Sequence, residues 1–488
     1  MSQKDDLIQS RYDKLEELYR RGYDPYGGKK VEVKHKSQEI IDDFSTFEDE
    51  KVTIGGRIVS KREHGKATFA HLQDSAGRIQ IYLNVNGVGE EQYELFGLVD
   101  IGDFVGVEGT VFRTRRGEVT VAVETFSLLT KSLLPLPEKW HGLKDVELRY
   151  RQRYLDLVVN TEVKDIFITR SKIIQGIRDF LSRESFLEVE TPMMSSIAGG
   201  ANARPFRTYH NALGMNLYLR IATELYLKRL LVGGMEKVYE LGKVFRNEGI
   251  STIHNPEFVT LEVYQAYADY KDMMDLTERL LVNLSREVMG TTTWSWKGEE
   301  VDLTPPWPRI TMVEAVRQYA GIDFSALESD EQARREAREK GLEISEGASW
   351  GEVLAEVFES FCEENLKGPV FVMQYPVEVS PLARQSKEDP RFTDRFELFI
   401  FGNEIANAFT ELNDPGEQRK RFERQMAMRE EGDQEAHMMD EDFLTALEYG
   451  MPPAGGLGIG IDRLIMIMTG SASIRDVILF PTLRPRED

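Results

Sequence analysis

Between residues 52 and 130 hydrophobic and polar positions alternate with a period of two, in the runs VTIGGRIVSKR, ATFAHLQD, GRIQIYLNV, DFVGVEGTVFRT and GEVTVAVETFSLLT. Turn residues separate the runs, so the pattern predicts five short strands that suit a small barrel, with Ile79, Ile81, Val119 and Val121 inside. Ahead of them, Ile8, Tyr12, Leu15 and Tyr19 recur at helical spacing. They predict a short amphipathic docking helix that ends before Gly22 and Pro25. After Ile168 the run TRSKIIQGIRDFLSRESF is helical in period. Residues 238–245 and 258–267 are rich in β-branched and aromatic side chains around a polar loop that holds Gly249, Asn255 and Pro256, which predicts an antiparallel pair with a long connection. DRFELFIFGNEIANAFTELND reads as strand, turn and strand, and PPAGGLGIGIDRLIMIMTG as a glycine-rich strand feeding an apolar helix near Asp462 and Arg463.

These elements define an α+β multidomain chain: an N-terminal OB-fold β-barrel followed by a domain built on an antiparallel sheet flanked by helices. At 488 residues and 41% hydrophobic content it has material for more than one core. The expected divisions are an N-terminal helical extension over 1–49, the barrel over 50–132, a hinge over 133–165 and the larger domain over 166–488. No apolar run approaches the ~20 residues of a membrane span, and the first residues are too charged for a signal peptide. The single cysteine, Cys362, excludes an internal disulfide and reads as a helix core position. A cytoplasmic protein with no membrane partner is expected.

A net charge of −22 is unfavourable for a nucleic-acid partner, but local fields matter more than the total. Basic residues cluster at Lys61, Arg62 and Lys66, at Arg113, Arg115 and Arg116, and at Arg149, Arg151 and Arg153. The last cluster reads first as a solvated helix and second as a nucleic-acid contact. The acidic excess falls in 323–364 and 411–448, as solvated helix faces.

Alternation places Phe258, Glu262 and Tyr264 on one strand face, and Arg246 shares a face with Glu248. A guanidinium binds a phosphoryl group bidentately, a ring stacks on a base and a carboxylate pairs with an amine, so the set suits a nucleotide and a cationic small molecule. The plainer reading is a surface hairpin with incidental charges. Glu397, Glu404, Asn407 and Glu411 are set into hydrophobic strands, where carboxylates are costly unless paired or metal-bound. That favours a magnesium and cation site. A two-residue hairpin at Gly402 and Asn403 would not bring Glu397 beside Glu404, so a longer turn or a bulge is expected. The glycines near 455–460 lack the GxGxxG spacing of a dinucleotide fold. On the barrel, Phe69, His71, Gln73, Gln80 and Glu118 share the parity opposite the core. An aromatic among hydrogen-bonding side chains is how single-stranded bases are stacked and read.

The string VFRNEG followed by HNPEF closely resembles motif 2 of the class II aminoacyl-tRNA synthetases, in the version carried by lysyl-tRNA synthetases. LEVETPMM, ending around Pro192, resembles motif 1, GLGIGIDR resembles motif 3, and the barrel resembles the anticodon-binding domain of the lysine, aspartate and asparagine subgroup. The resemblance runs from about residue 50 to the end.

It implies a class II catalytic domain that joins lysine to lysine tRNA at the expense of ATP, with Mg2+ as cofactor and a homodimer formed through motif 1. Arg246 would hold the α-phosphate and the amino-acid carboxylate, Phe258 would stack on adenine, and Arg463 would lie opposite and reach the γ-phosphate; these two arginines are the expected catalytic residues. Glu248, His254, Asn255, Glu397 and Glu404 complete the expected ATP site, the last two as magnesium ligands. Gly200, Glu224, Glu262, Tyr264, Asn407 and Glu411 would bind lysine. Arg62, Phe69, Gln80 and Glu118 would contact the uridine-rich anticodon. Ile253 stands where bacterial relatives often have arginine. An aspartyl or asparaginyl synthetase should carry a cation where this chain has Glu262 and Glu411. A paralogue that lysylates an elongation factor lacks the barrel, and an inactive RNA-binding protein should have lost Arg246, Glu404 or Arg463.

Overall fold

The computed structural model describes residues 3–137 and 143–485, so residues 138–142 of the expected hinge lie outside the described residues. The chain forms two compact units, Met1–Lys144 and Asp145–Asp488.

In the first unit, β1 (Lys51–His64), β2 (Ala67–Gln73), β3 (Arg78–Asn84), β4 (Phe104–Arg113) and β5 (Val119–Thr130) close into a barrel in the order β1-β2-β3-β5-β4. The long β1 pairs with β4 through its first half and with β2 through its second, and slips register between Ile58 and Ser60. Such a bulge bends a strand and lets it serve both neighbours of a small barrel. Ile54, Ile58, Leu72, Ile79, Ile81, Val107, Val121 and Leu128 fill the core, with Val119 half-buried beside them.

The helix Gln3–Arg20 corrects the expected stripe. Arg11 and Leu18 are its buried residues, Ile8 and Leu15 are half-buried, and Tyr12 and Tyr19 are exposed. The reason is Arg11, whose guanidinium donates to the carbonyls of Ile101 (2.7 Å), Ser132 (2.8 Å) and Leu134 (3.1 Å) and rotates a charged side chain to the inside. Lys61 also turns inward, onto the carbonyls of Phe96 and Val99, and leaves the basic surface.

The second unit is built on an eight-stranded sheet. Its strands are β6 (Leu187–Glu188), β10 (Lys237–Phe245), β11 (Glu257–Ala266), β14 (Arg309–Thr311), β15 (Val370–Met373), β16 (Arg395–Ile400), β17 (Asn403–Thr410) and β18 (Ala454–Gly460). The order is β14-β15-β16-β17-β18-β11-β10-β6, antiparallel except for the parallel pairs at its two edges. A small sheet, β7 (Met194–Ser195), β8 (Arg207–His210) and β9 (Met215–Leu219), and the hairpin β12 (Thr293–Trp296) with β13 (Glu299–Asp302) complete the strands.

The helices Glu162–Arg183, Tyr270–Leu284 and Ile461–Met468 supply Ile173, Leu280 and Ile465 to a core beneath the sheet, where they meet Leu261, Val263, Leu398, Ala406 and Leu457. Period-two alternation then turns the other face of β11 and β17 toward the site. Three helices from the 312–361 region pack over β15 with Cys362 in their core; burial pushes its thiol up to about 12 and makes it unreactive.

The basic run near 150 is neither solvated nor exposed to a nucleic acid at Arg153, which is 1% exposed. Arg153 pairs with Asp156 (2.6 Å) and donates to the carbonyls of Arg475 (2.9 Å) and Leu479 (3.1 Å). Arg149 meets the same Asp156 (2.9 Å). The carboxylate and the carbonyls of the C-terminal segment compensate the burial of charge that the local pattern reads as surface.

Candidate active site

A cavity of about 410 Å³ opens on the face of β11, β17 and β18 away from the helical core. That size suits a nucleotide with a small partner.

One wall is the hairpin of β10 and β11, paired from Lys237↔Gln265 to Phe245↔Glu257. Its loop is held by the Arg246 N–H on the Pro256 carbonyl (2.9 Å) and by Ser251, whose hydroxyl receives the His254 N–H (3.1 Å). Arg246 lies over the Phe258 ring, 5.2 Å from its centroid, and its buried Nε–H has no hydrogen-bond partner. A buried unpaired guanidinium nitrogen is costly, so it marks a place built for an acceptor. Glu248 stands exposed on the loop at the cavity. Asn255 is buried and spends its Nδ2 on the Glu257 carbonyl (2.6 Å). Ile253 lines the cavity while packing against the core.

Opposite, Arg463 at the start of the last helix donates to the Glu404 carbonyl (2.6 Å) and meets the Glu404 carboxylate at 3.3 Å. His254 Nε2 lies 3.4 Å from Arg463, and desolvation together with that guanidinium holds its imidazole below the usual range.

The turn between β16 and β17 is tight, with Phe401 and Gly402 both at positive φ, and the register shifts between Leu398 and Phe399. The expected bulge is therefore present. It sets Glu397 opposite Asn407 and Phe399 opposite Glu404. Glu397 does not line the cavity: its carboxylate accepts from Arg395 (2.6 Å) and from the Tyr375 hydroxyl (2.8 Å). Burial and then the nearby Glu404 push it up to about 7, against Arg395. Arg395 also donates to Asn407 Oδ1 (3.1 Å).

At the other end, Glu224, Glu262 and Tyr264 line the cavity and are almost fully buried. Glu262 accepts the Thr223 N–H (3.0 Å), and burial followed by Glu224 raises it to about 7. Tyr264 is pushed well up by burial and by the same carboxylates. Glu411 lies behind this wall, in contact with the buried ammonium of Lys228, which also contacts Glu224. Burial raises both carboxyls while Lys228 opposes the rise. Gly200, at φ +89°, brings its loop within reach, since a Cβ there would stand 3.0 Å from that of Ala222. At Gly456 a Cβ would stand 1.9 Å from Glu411 Oε1 and 2.7 Å from Tyr264 Cε1, so bare backbone is required.

The structure thus gathers Arg246, Glu248, His254, Asn255, Phe258, Glu404 and Arg463 at one end and Gly200, Glu224, Glu262, Tyr264 and Asn407 toward the other. Glu397 and Glu411 sit behind the walls. Sequence reasoning missed Arg395, which shares strand parity with Glu397, and His437, which lines the cavity buried with an unpartnered Nδ1. It also missed Lys228. Among the described residues no group of three or more His, Cys, Asp and Glu is arranged to hold a metal alone.

On the barrel, Arg62 pairs across the strands with Phe69, whose ring lies 4.8 Å from that of Tyr82. Gln80 Nε2 donates to Glu118 (2.7 Å), which also meets His71 (2.8 Å), and Thr120 donates to Gln80 Oε1 (2.9 Å). A linked polar row therefore runs beside an aromatic pair.

Residues 145–484 match the family model described as tRNA synthetases class II (D, K and N), and residues 52–129 match that of the OB-fold nucleic acid binding domain. The chain belongs to the class II tRNA synthetases of this group, with an OB-fold anticodon domain. Within the group it is a member of the lysyl-tRNA synthetase family. It is 62% identical over 484 residues to the lysine–tRNA ligase of Pelotomaculum thermopropionicum, covering 99% of this chain and 96% of the relative. It is 61% identical over 485 residues to that of Moorella thermoacetica and 59% over 482 residues to that of Carboxydothermus hydrogenoformans, each covering 99% of both chains.

Proposed function

We propose that the chain activates lysine with ATP in the cavity of the second unit and transfers it to lysine tRNA read by the barrel. The observation that carries this reading is one cavity with Arg246, its Nε–H unpartnered, over Phe258 at one end and buried carboxylates at the other. Adenine stacks on Phe258 with Arg463 opposite, and the substrate ammonium groups take Glu224, Glu262 and the Tyr264 hydroxyl. The lysine carboxylate then faces the α-phosphorus beside Arg246.

The carboxylate attacks in line, the bond to the β-phosphate oxygen breaks and pyrophosphate leaves. No side chain need act as a base, because the nucleophile is already ionised; Arg246 positions both partners and stabilises charge that develops on the phosphoryl oxygens. The 3′ hydroxyl of the terminal adenosine next attacks the adenylate carbonyl and AMP departs.

Lysyl-tRNA synthetases of class II generally use ATP with Mg2+. Magnesium takes one or two carboxylates, keeps waters and leans on substrate phosphates, so two acids without a complete protein cage fit it. Glu404 at the cavity and Glu397 behind it, whose carboxyl burial and then Glu404 push up to about 7, are the residues that would hold it. When bound, it supplies charge neutralisation at the phosphates.

ATP–pyrophosphate exchange with lysine, aspartate and asparagine tests the reading. Exchange with lysine alone is expected, and exchange driven by aspartate or asparagine would overturn it.

For the barrel, stacking on one base contributes roughly 1–3 kcal/mol. Phe69→Ala is therefore expected to weaken aminoacylation of lysine tRNA by about tenfold or more while sparing tRNA-independent exchange. Equal loss in both assays would make Phe69 a barrel-packing residue only.

A homodimer through motif 1 is supported by the edge strand β6 and by Leu187, Met193 and Met194, each more than half exposed. Sedimentation equilibrium is expected to give twice the 55.9 kDa chain mass, and a monomer mass would remove the interface.

A further inference from the structure

Lys228 is a buried cation at the amino-acid end of the cavity, and the reaction described above does not use it. It lies on the helix Glu224–Val232 with no exposed surface, and its ammonium contacts Glu224 one turn earlier and Glu411 at the end of the β17 hairpin. The aromatic rings of Phe409 and Phe443 enclose it, 5.5 and 5.9 Å from the ammonium. Local sequence explains only the contact with Glu224, as an ordinary pair at helical spacing. The contact with Glu411 is tertiary and fully desolvated, where an unpaired charge of either sign is strongly disfavoured.

Count the formal charges at this end. Glu224, Glu262 and Glu411 bring three negative charges and Lys228 one positive. A lysine substrate brings two ammonium groups, while its carboxylate goes to Arg246. The protein's own ammonium therefore leaves two negative charges for two positive ones. We propose that Lys228 is a specificity-determining positioning residue: locked between Glu224 and Glu411, it cancels one pocket charge and fixes both carboxylates in place for substrate.

The inference rests on the assignment of this pocket to lysine. The groups facing Lys228 are Glu224 from its own helix, Glu411 from the β17 end and, through the field, His437 from the segment preceding the Glu441–Glu448 helix. Glu262 and Tyr264 act on Glu411 from β11, and Arg395 acts on Glu224 from β16. Without the ammonium, Lys228 no longer opposes desolvation at Glu224 and Glu411, so both carboxyls shift further toward the protonated form. Raising the pH restores their charge.

Lysine-dependent exchange in Lys228→Met, with Glu262→Gln in parallel, tests this. Lys228→Met is expected to raise the lysine KM at pH 7 by at least tenfold and the ATP KM by less than threefold. The lysine KM is expected to fall toward the wild-type value as the pH is raised, and discrimination against norleucine to weaken. Lys228→Arg, which keeps the cation, should stay within about threefold of wild type. A folded Lys228→Met with unchanged lysine KM and pH profile, beside a raised KM in Glu262→Gln, would overturn the role of Lys228. An unchanged KM in Glu262→Gln would instead overturn the pocket reading. If Lys228→Met fails to fold, Lys228→Gln takes its place, and if that also fails a folded Lys228→Arg with a tenfold higher KM overturns the proposal while retention within threefold supports it.

Discussion

Arg246→Ala is expected to lower lysine-dependent ATP–pyrophosphate exchange by at least ~10²-fold, the usual cost of deleting one preorganised donor aimed at developing charge. The loss should fall on kcat, because in the proposed reaction the guanidinium meets charge that is greatest in the transition state. The fold has little stake in the side chain. Its Nε–H is unpartnered, and its named contact is the Phe258 ring, a cation–π interaction worth ~0.5–1 kcal/mol at a partly exposed site. The loop keeps its shape through the Arg246 backbone N–H on Pro256 and the Ser251–His254 bonds. Circular dichroism and a melting curve close to wild type should therefore accompany the loss. Near-normal exchange in the folded variant would remove this arginine from the chemistry.

Glu262→Gln should strike substrate choice rather than chemistry. Hydrogen bonds to a charged group contribute ~1.5–3 kcal/mol, so the lysine KM is expected to rise roughly ten- to hundredfold while the ATP KM changes little. The pH dependence supplies a second, independent sign. Glu262 ionises near 7, raised first by burial, and Lys228 contacts Glu224 and Glu411 but not Glu262. A substrate ammonium selects the ionised carboxylate, and a proton competes with it. Wild-type lysine KM should therefore fall as pH rises from 6 to 8, and this dependence should flatten in Glu262→Gln. Parallel profiles for the two proteins would show that another group governs lysine affinity.

The barrel was legible in the sequence because period-two alternation is sufficient to specify a small closed sheet: the buried positions of β2 and β3 follow from parity alone. The hairpin of β10 and β11 was legible for the same reason, and the parity conflict between Glu397 and Glu404 pointed to the bulge that the structure contains. What escaped were long charged side chains that turn inward. Arg11 and Arg153 each satisfy carbonyls distant in the chain, and nothing in their local pattern marks them. Lys228 is the sharpest case. In ELYLKRLL it reads as one end of a surface pair, and only Glu411, far along the chain, makes it a buried charge. Arg395 was within reach of sequence reasoning, since it shares a strand face with Glu397.

The side-chain-free wall of β18 bears on how this site could be redesigned. At position 456 even a methyl group would collide with Glu411 and Tyr264, whereas at 458 and 460 the nearest atoms to an added Cβ are 3.8 and 3.9 Å away. The strand is thus sterically closed where it backs Glu411 and Tyr264 and open where it passes Asn407 and Arg463. A library meant to admit a longer or bulkier lysine analogue gains nothing from varying residue 456. Its diversity belongs on β11 and β17, with Gly456 held constant as the template against which those strands are resculpted.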